Sequence, residues 1–185
     1  MIYVIDHNDS FTQNVVHQLS LFDKVECDNY NKINRLKLKR AKVIIFSPGP
    51  GNPKNYPSTS EIYYQYKGKK KMLGICLGFQ QILFCEGAKI VEQNKIYHGY
   101  QSRVKVITKS SIFEKNKIFK VGRYHSLKLK EPFKINDFDI TMRCLESKVA
   151  MAFENKKDKI YGFQFHPESF LTNNGNLLIK KILSS

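Results

Sequence analysis

A cysteine stands at a cramped position in the segment LGICLGFQ, residues 73–80. An apolar run reaches Cys76, which lies between Gly74 and Gly78, and an amphipathic run with two glutamines follows. A buried strand that turns sharply into a helix would place the thiol at the helix N-terminus, where free N–H groups and the helix dipole favour the thiolate. The segment therefore predicts a nucleophile. Its alternative is a buried structural thiol at the end of a core strand.

A candidate base for this nucleophile lies in the segment FQFHPES, residues 163–169. His166 and Glu168 are two residues apart, so on an extended backbone both side chains point to the same side. The carboxylate would then fix the imidazole tautomer and stabilise the imidazolium, as the acid of a catalytic triad does. Pro167 between them restricts the backbone. The alternative is a surface turn that carries an ordinary histidine.

A loop rich in glycine and proline, SPGPGNP at residues 47–53, follows the apolar run KVIIF. Gly49 and Gly51 have no side chains, so their N–H groups can approach a developing oxyanion. One such donor is typically worth about 10²–10³ in rate. Taken alone, the loop can also be only a tight turn. The three motifs together are far more specific than any one of them.

The elements that must position these groups alternate in the first half of the chain. Short apolar runs predict buried strands, and apolar residues at helical spacing predict helices near residues 11–22 and 58–66. Ser10, with Gln13 three residues later, predicts a capping box at the start of the first helix. The predicted strands cover residues 2–5, 24–27, 42–46 and 71–75. The alternation predicts a mostly parallel sheet covered on both faces, with ligands at the carboxyl ends of its strands.

The second half of the chain, from about residue 103 to 164, has a different pattern. Strand-like segments follow one another with few helical runs between them, so they predict an antiparallel extension of the sheet. These segments cover residues 103–107, 139–144, 149–153 and 160–165. Residues 173–183 predict a closing helix. We see no repeat and no linker, so we expect one domain over residues 1–185.

The charge of the chain is strongly basic. Its 31 Lys and Arg residues against 16 Asp and Glu give a formal net charge of +15. The basic residues are spread along the chain and are mostly lysine, which lacks the planar fork that grips phosphates and reads guanine. We therefore expect a solvated basic surface and no nucleic-acid partner.

Compartment and cofactors follow from the apolar runs and the cysteines. No apolar stretch approaches the roughly 20 residues of a membrane span, and Asp6 interrupts the apolar start, so we expect no signal peptide and no membrane association. The 4 cysteines form no CxxC pair, and their spacing suits neither a zinc site nor a disulfide scaffold. We expect a reduced, cytoplasmic protein with no metal and no cofactor.

Over nearly its full length the chain resembles the class I, or triad, glutamine amidotransferases. The resemblance rests on SPGPGNP, GICLGFQ, HPES and the segment RYHSL at residues 123–127, with support from DSFTQN near the start. Within this family the chain is most similar to the glutaminase subunits of anthranilate synthase and of 4-amino-4-deoxychorismate synthase. The resemblance implies a flavodoxin-like, three-layer α/β fold and L-glutamine as substrate.

The resemblance also implies roles for individual residues. Cys76, His166 and Glu168 would form the catalytic triad, and the N–H of Leu77 would complete an oxyanion hole with the glycine loop. The residues implied to contact glutamine are Gly49, Pro50, Gly51, Gln80, Ser126 and Leu127. Attack by the thiolate would give a thioester and release ammonia, and His166 would later activate the water that hydrolyses the thioester.

The chain departs from the family pattern at three places. Members usually have histidine at the position of Phe79, which lies outside the triad, so we expect Phe79 to pack in the core. They often have lysine at the position of Tyr100. They usually have Asn-Tyr where this chain has His7 and Asn8. We expect these last two segments to face the synthase subunit rather than the chemistry.

The expected function is a glutaminase subunit that delivers ammonia to a chorismate-using synthase subunit, for anthranilate or for 4-amino-4-deoxychorismate. The alternatives are a glutaminase that serves another synthase, a stand-alone γ-glutamyl hydrolase and a non-enzymatic basic binding module. We further expect the isolated chain to be a poor glutaminase that its partner activates. The expected movable part is the loop at residues 49–51, because its glycines permit the peptides to reorient.

Overall fold

Strands and helices alternate through the computed structural model, which describes residues 1–185. The first half contains β1 (Ile2–Asp6), α1 (Thr12–Ser20), β2 (Val25–Asn29), α2 (Arg35–Arg40), β3 (Val43–Phe46), α3 (Pro57–Tyr66), β4 (Lys71–Ile75) and α4 (Leu77–Cys85). The second half contains β5 (Ile90–Glu92), β6 (Tyr100–Val106), β7 (Ile118–Arg123), β8 (Leu127–Leu129), β9 (Asp139–Cys144), β10 (Ala150–Asn155), β11 (Ile160–Phe163) and α5 (Gly175–Ser184). A 3₁₀ turn, Pro53–Asn55, precedes α3.

Nine strands form one sheet in the order β2-β1-β3-β4-β11-β10-β9-β6-β7. The pairings from β2 through β11 are parallel. From β11 outward to β7 every pairing is antiparallel. The parallel strands have the 2-1-3-4-5 order of flavodoxin-like folds. The predicted α/β fold, with a parallel centre and an antiparallel extension, is confirmed. β5 and β8 form a separate two-stranded sheet.

An apolar core lies on each face of this sheet. Side chains of β1 alternate between the two cores, with Ile2 and Val4 on one face and Tyr3 and Ile5 on the other. α1 and α5 pack on the first face, whereas α2, α3 and α4 pack on the second. Full burial of one such large apolar side chain contributes about 1.5–3 kcal/mol to folding. The two covered faces explain why the parallel strands read as continuous apolar runs.

The start of α1 differs from the prediction. The helix begins at Thr12, and its N-cap residue is Phe11, which makes no side-chain cap. The Asp9 carboxylate accepts the Phe11 N–H at 2.8 Å, and the Asp6 carboxylate accepts the Thr12 hydroxyl at 2.8 Å. The predicted capping box of Ser10 was therefore wrong, because two nearby carboxylates hold this turn instead. α1 also ends at Ser20, before the apolar residue at position 22.

Four elements were not predicted from the sequence: α2, β5, β7 and β8. The helix α2 has a recognisable start, because Asn34 accepts the N–H groups of Leu36 and Lys37, both at 3.1 Å. Its sequence RLKLKR buries only Leu38, so the basic residues hid the helical pattern. None of the helices is long and apolar enough to cross a membrane. Phe79 is fully buried and packs against Phe153, as expected.

Candidate active site

The carboxyl ends of three neighbouring parallel strands bring the three motifs to one edge of the sheet. β3, β4 and β11 lie side by side in that order. Residues 47–51 follow β3, Cys76 follows β4, and residues 164–168 follow β11. In open α/β sheets, ligands bind outside this edge. The fold thus joins groups that are far apart in the sequence.

Cys76 occupies a strained corner between β4 and α4. It is the N-cap residue of α4, with φ 52° and ψ −100°. A non-glycine residue in such a conformation costs on the order of 1–3 kcal/mol. Gly78 permits the tight approach, because a Cβ there would lie 2.0 Å from the carbonyl oxygen of Phe46. The corner holds the thiol at the N-terminus of a nine-residue helix, where the helix dipole favours a thiolate.

His166 and Glu168 form a buried pair. His166 Nδ1 lies 2.7 Å from Glu168 Oε1, and the two side chains are 2% and 0% exposed. His166 Nε2 is buried and has no hydrogen-bond partner. Burial alone would lower the pKa of His166, but the charges of Cys76 and Glu168 together raise it well above its ordinary value. The ring therefore holds its proton beside the sulfur, with Nε2 free to act on a reacting group.

Two aromatic side chains pack against this imidazole. The ring centroids of Phe11 and Tyr124 lie 5.1 and 5.0 Å from that of His166, both in edge-on arrangements. The two aromatic rings also contact each other at 4.8 Å. They restrict the orientation of His166. Neither had been predicted as part of the site, although Tyr124 belongs to the RYHSL segment.

A small cavity of about 160 Å³ opens beside Cys76. Its walls contain Cys76 and every residue for which a glutamine contact was predicted, namely Gly49, Pro50, Gly51, Leu77, Gln80, Ser126 and Leu127. Tyr124 and His125 complete the lining. His166 and Glu168 do not line the cavity but lie buried next to it. The structure thus places the seven predicted contact residues around one space at the predicted nucleophile.

Two glutamine side chains connect the sulfur to the wall of this cavity. Gln80 Nε2 donates to Gln164 Oε1 at 3.0 Å and lies 3.3 Å from the Leu127 carbonyl oxygen. Gln164 Nε2 in turn points at Cys76 Sγ from 3.8 Å. The amide nitrogen of Gln80 is therefore engaged within the chain, which leaves its Oε1 for a ligand. Gln164 had not been predicted, although it lies two residues before His166.

A buried arginine organises the segment from Tyr124 to Leu127. Arg123 is fully buried, its Nε donates to His125 Nε2 at 3.0 Å, and Tyr97 packs on its guanidinium at 3.5 Å. An arginine only donates, so His125 Nε2 must accept and Nδ1 must carry the proton. That proton is donated to the Leu127 carbonyl oxygen at 2.8 Å. Burial lowers the pKa of His125 to about 3, and the charge of Arg123 adds to this effect.

His125 therefore lines the cavity but cannot serve as the base. Both of its ring nitrogens are engaged in hydrogen bonds with Arg123 and Leu127. His166, by contrast, has a carboxylate on Nδ1 and an unpartnered Nε2. The geometry selects His166 from the two histidines at this edge.

His7 has a different environment from the one predicted. It is fully buried, with Nδ1 3.1 Å from the Ser47 carbonyl oxygen and Nε2 3.2 Å from the Thr59 hydroxyl. Its expected place on a partner-facing surface was wrong, because it packs between the loop after β3 and α3. Asn8 and Tyr100 are exposed. His7 instead supports the glycine loop from behind.

A larger cavity of about 530 Å³ lies at the opposite edge of the sheet, beside the amino ends of β1, β3 and β4. It is lined by Lys42, Lys69, Lys70, Lys71, Lys157 and Lys159 together with two aspartates. It contains no nucleophile and no histidine, so the cavity at Cys76 is the candidate active site. No group of three or more His, Cys, Asp or Glu side chains is placed to hold a metal ion.

The chain belongs to the class-I glutamine amidotransferase family. The family profile, described as "Glutamine amidotransferase class-I", matches residues 3–184. This is the class of protein that the elbow cysteine, the buried histidine–glutamate pair and the flavodoxin-like sheet together define. The predicted family membership and enzyme class are confirmed.

Particular relatives carry more specific names. The chain is 38% identical to "Anthranilate synthase component 2" of Lactococcus lactis, over 100% of this chain and 94% of that protein. It is 34% identical to the protein of the same name from Buchnera aphidicola, over 99% and 94% of the two chains. It is also 33% identical to "Bifunctional protein TrpGD" of Thermotoga maritima, of which it spans 32%.

Solved structures support the fold. A putative GMP synthase protein from Thermoplasma acidophilum superposes with a TM-score of 0.84, covering 99% of this chain and 92% of that one. The sequence identity is 23%. A glutamine amidotransferase from Thermotoga maritima gives a TM-score of 0.71 at 16% identity, over 90% of this chain and 75% of that chain. At these identities the likeness concerns the architecture alone.

Proposed function

We propose that this chain is the glutaminase component of an anthranilate synthase. In this role it hydrolyses L-glutamine to glutamate and delivers the ammonia to a chorismate-using synthase subunit. The observation that carries the proposal is the buried His166–Glu168 pair, whose free Nε2 lies beside an elbow cysteine that opens into a small cavity. The names of the full-length relatives favour anthranilate over 4-amino-4-deoxychorismate as the product of the complex.

The cavity fits a small substrate. At about 160 Å³ it is well below the roughly 300–1,000 Å³ of sites for drug-sized ligands. Its walls offer backbone N–H groups at Gly49, Gly51 and Leu77 and the side-chain oxygen of Gln80. The first N–H groups of α4 have no partner within the helix, so the Leu77 N–H is available to an oxyanion.

The proposed reaction begins when the Cys76 thiolate attacks the side-chain carbonyl carbon of glutamine. The carbonyl oxygen becomes an oxyanion that accepts hydrogen bonds from the Leu77 N–H and from the glycine loop. His166 donates its Nε2 proton to the leaving nitrogen, the C–N bond breaks, and ammonia leaves with a thioester on Cys76. Water then attacks the thioester, His166 accepts a water proton, and the C–S bond breaks to give glutamate and the thiolate.

Reconstitution with the synthase subunit from the same organism tests this proposal. We expect anthranilate to form from chorismate with either glutamine or ammonia as the nitrogen source. In the Cys76→Ala variant the glutamine-dependent rate should vanish while the ammonia-dependent rate survives, because the synthase site lies on the other chain. A complex of Cys76→Ala that still uses glutamine at the normal rate would refute the triad assignment.

The same assays separate the alternative functions. Hydrolysis of γ-glutamyl peptides by the lone chain, without use of glutamine beside a synthase, would show a stand-alone hydrolase. Formation of 4-amino-4-deoxychorismate rather than anthranilate would identify the other chorismate-using complex. Glutamine hydrolysis should also be measured for the lone chain, with the synthase subunit, and with chorismate added. Equal rates in all three conditions would contradict activation by the partner.

A further inference from the structure

The loop expected to move is held by hydrogen bonds from two hydroxyl groups. The Tyr56 hydroxyl donates to the Pro50 carbonyl oxygen at 2.8 Å. The Ser47 hydroxyl donates to the Pro48 carbonyl oxygen at 2.7 Å, and its oxygen accepts the His7 N–H at 2.9 Å. Both carbonyl groups that precede a loop glycine therefore have a fixed partner.

The bond from Tyr56 determines where the next N–H points. The peptide between Pro50 and Gly51 is trans, so its C=O and N–H groups point in opposite directions. Because the carbonyl is directed to Tyr56, the Gly51 N–H is directed away from it. Gly51 lines the cavity, and its N–H donates to no acceptor within the chain. With Pro50 lacking an N–H, Gly49 and Gly51 supply the donors of this loop.

Glycine at position 51 makes this restraint necessary. Gly51 has φ +77°, in a region that glycine enters at little cost and from which it can also leave easily. Rotation of the preceding peptide would turn the Pro50 carbonyl towards the cavity and the Gly51 N–H away from it. A carbonyl oxygen facing an oxyanion would repel it. The hydrogen bond from Tyr56 opposes this rotation.

Tyr56 is itself held in place. The residue is 5% exposed, and its ring packs edge-on against His7 and Tyr30, each at 4.9 Å between centroids. Burial raises the pKa of Tyr56, so its hydroxyl remains a donor at neutral pH. The residue closes the 3₁₀ turn and caps α3, which places the ring directly under the loop.

We propose that Tyr56 is a positioning residue, which fixes the peptide between Pro50 and Gly51 so that the Gly51 N–H is presented to glutamine in the cavity. The inference rests on the proposed glutaminase function. It assigns the residue a part in the reaction without contact with the substrate. It also means that the isolated chain already has this donor in its working orientation.

The kinetic test compares Tyr56→Phe with Tyr30→Phe in the reconstituted complex. Tyr56→Phe removes the hydroxyl and keeps the ring, whereas Tyr30→Phe removes a neighbouring hydroxyl that does not hold Pro50. Loss of one neutral hydrogen bond should lower kcat for glutamine about 2- to 10-fold in Tyr56→Phe and leave Tyr30→Phe at the wild-type rate. Ammonia-dependent synthesis should not change, and thermal unfolding should show both variants folded.

A spectroscopic readout follows the loop itself. The sequence contains proline before glycine only at residues 48–49 and 50–51. Labelling proline carbonyls with ¹³C and glycine nitrogens with ¹⁵N therefore gives two correlated amide signals. In Tyr56→Phe we expect the Pro50 carbonyl signal to shift while that of Pro48 stays in place. Addition of L-glutamate should shift the Gly51 amide of the wild type and shift it less in the variant.

The outcomes distinguish this inference from the proposed function. A wild-type complex without any glutaminase activity would refute the function. An active wild type with Tyr56→Phe turning over at the same rate would refute only the inference. A faster lone-chain rate for Tyr56→Phe would also refute it, because the bond would then hold the loop in an unproductive orientation.

Discussion

The side-chain amide of Gln164 points at the sulfur of Cys76, with Nε2 3.8 Å from Sγ. The same side chain accepts the Gln80 amide through Oε1, so its orientation is set by a second residue of the site. A neutral N–H donor directed at sulfur stabilises the thiolate without adding charge. The two glutamines thus connect the nucleophile to the wall of the cavity.

Replacement of this donor should slow the thiolate chemistry. In Gln164→Met, which keeps the volume and removes the N–H, we expect iodoacetamide to alkylate Cys76 about 2- to 10-fold more slowly at pH 7. Gln93→Met serves as the control, because that glutamine bonds to His125 rather than to sulfur. Mass spectrometry of the labelled peptide measures both rates. Equal alkylation in Gln164→Met and wild type would show that the 3.8 Å contact has no influence.

The carboxylate of Glu168 should control the protonation of His166. Glu168→Gln keeps the shape and removes the charge, so burial of the imidazole is less compensated and the pKa of His166 should fall. Glutamine-dependent turnover should drop by about 10²- to 10⁴-fold, the range for loss of the acid from a triad. A ¹³C-detected histidine titration measures the pKa. An unchanged His166 titration in the variant would remove Glu168 from its assigned part.

A glutamine-like electrophile should label one cysteine of the four. Burial raises the pKa of Cys27 to about 11 and also raises the pKa of Cys85, so both thiols stay protonated at neutral pH. Cys144 is 1% exposed and lies away from the cavity. We expect 6-diazo-5-oxo-L-norleucine to modify Cys76 alone, as read by peptide mass spectrometry. Modification of Cys27 or Cys85 at a similar rate would contradict this selectivity.

Two neutral buried histidines should make the fold sensitive to acid. Burial lowers the pKa of His7 to about 4 and that of His125 to about 3, against about 6.5 in an unfolded chain. The unfolded state therefore gains these protons first as the pH falls below about 6.5. Each histidine should cost about 2 kcal/mol of unfolding free energy at pH 5 relative to pH 8.

Denaturation with urea across this pH range measures the effect. In His7→Asn, which places the usual family residue at this position, the loss between pH 8 and pH 5 should be smaller by about 2 kcal/mol. His17→Asn is the control, because that histidine lies on the partly exposed side of α1. His166 acts in the opposite direction, since its raised pKa stabilises the fold below about pH 6.5. A pH dependence of His7→Asn equal to that of wild type would refute the assignment.

Local motifs revealed the chemistry, whereas long-range contacts hid its supports. The glycines beside Cys76 and the spacing of His166 and Glu168 are short patterns, so the corner and the pair could be predicted from neighbouring residues. Gln164 meets Cys76 across 88 positions of the chain, and no local pattern records that contact. Arg123 looked like an ordinary surface charge, because its burial depends on Tyr97 and the second sheet.

The same reasoning explains the errors at the start of the chain. Ser10 has the spacing of a capping box, but competition from the carboxylates of Asp6 and Asp9 decides the turn. His7 stands next to exposed Asn8, and only the packing of α3 against the loop after β3 reveals that it is buried. Tyr56 carries no sequence signal at all. Its importance arises from one hydroxyl directed at a carbonyl six residues earlier.

Both ends of the chain lie at the edge of the sheet opposite Cys76. The Met1 ammonium pairs with Asp23, and Lys71 at the start of β4 holds the carbonyl oxygens of Ile182 and Leu183 near the last residue. β4 spans five residues, so these ends are separated from the thiol by roughly 16 Å of strand. A tether, an affinity tag or a surface linker at either terminus would therefore leave the catalytic cavity unobstructed. The chain can be immobilised by either end for single-molecule or flow measurements of partner docking.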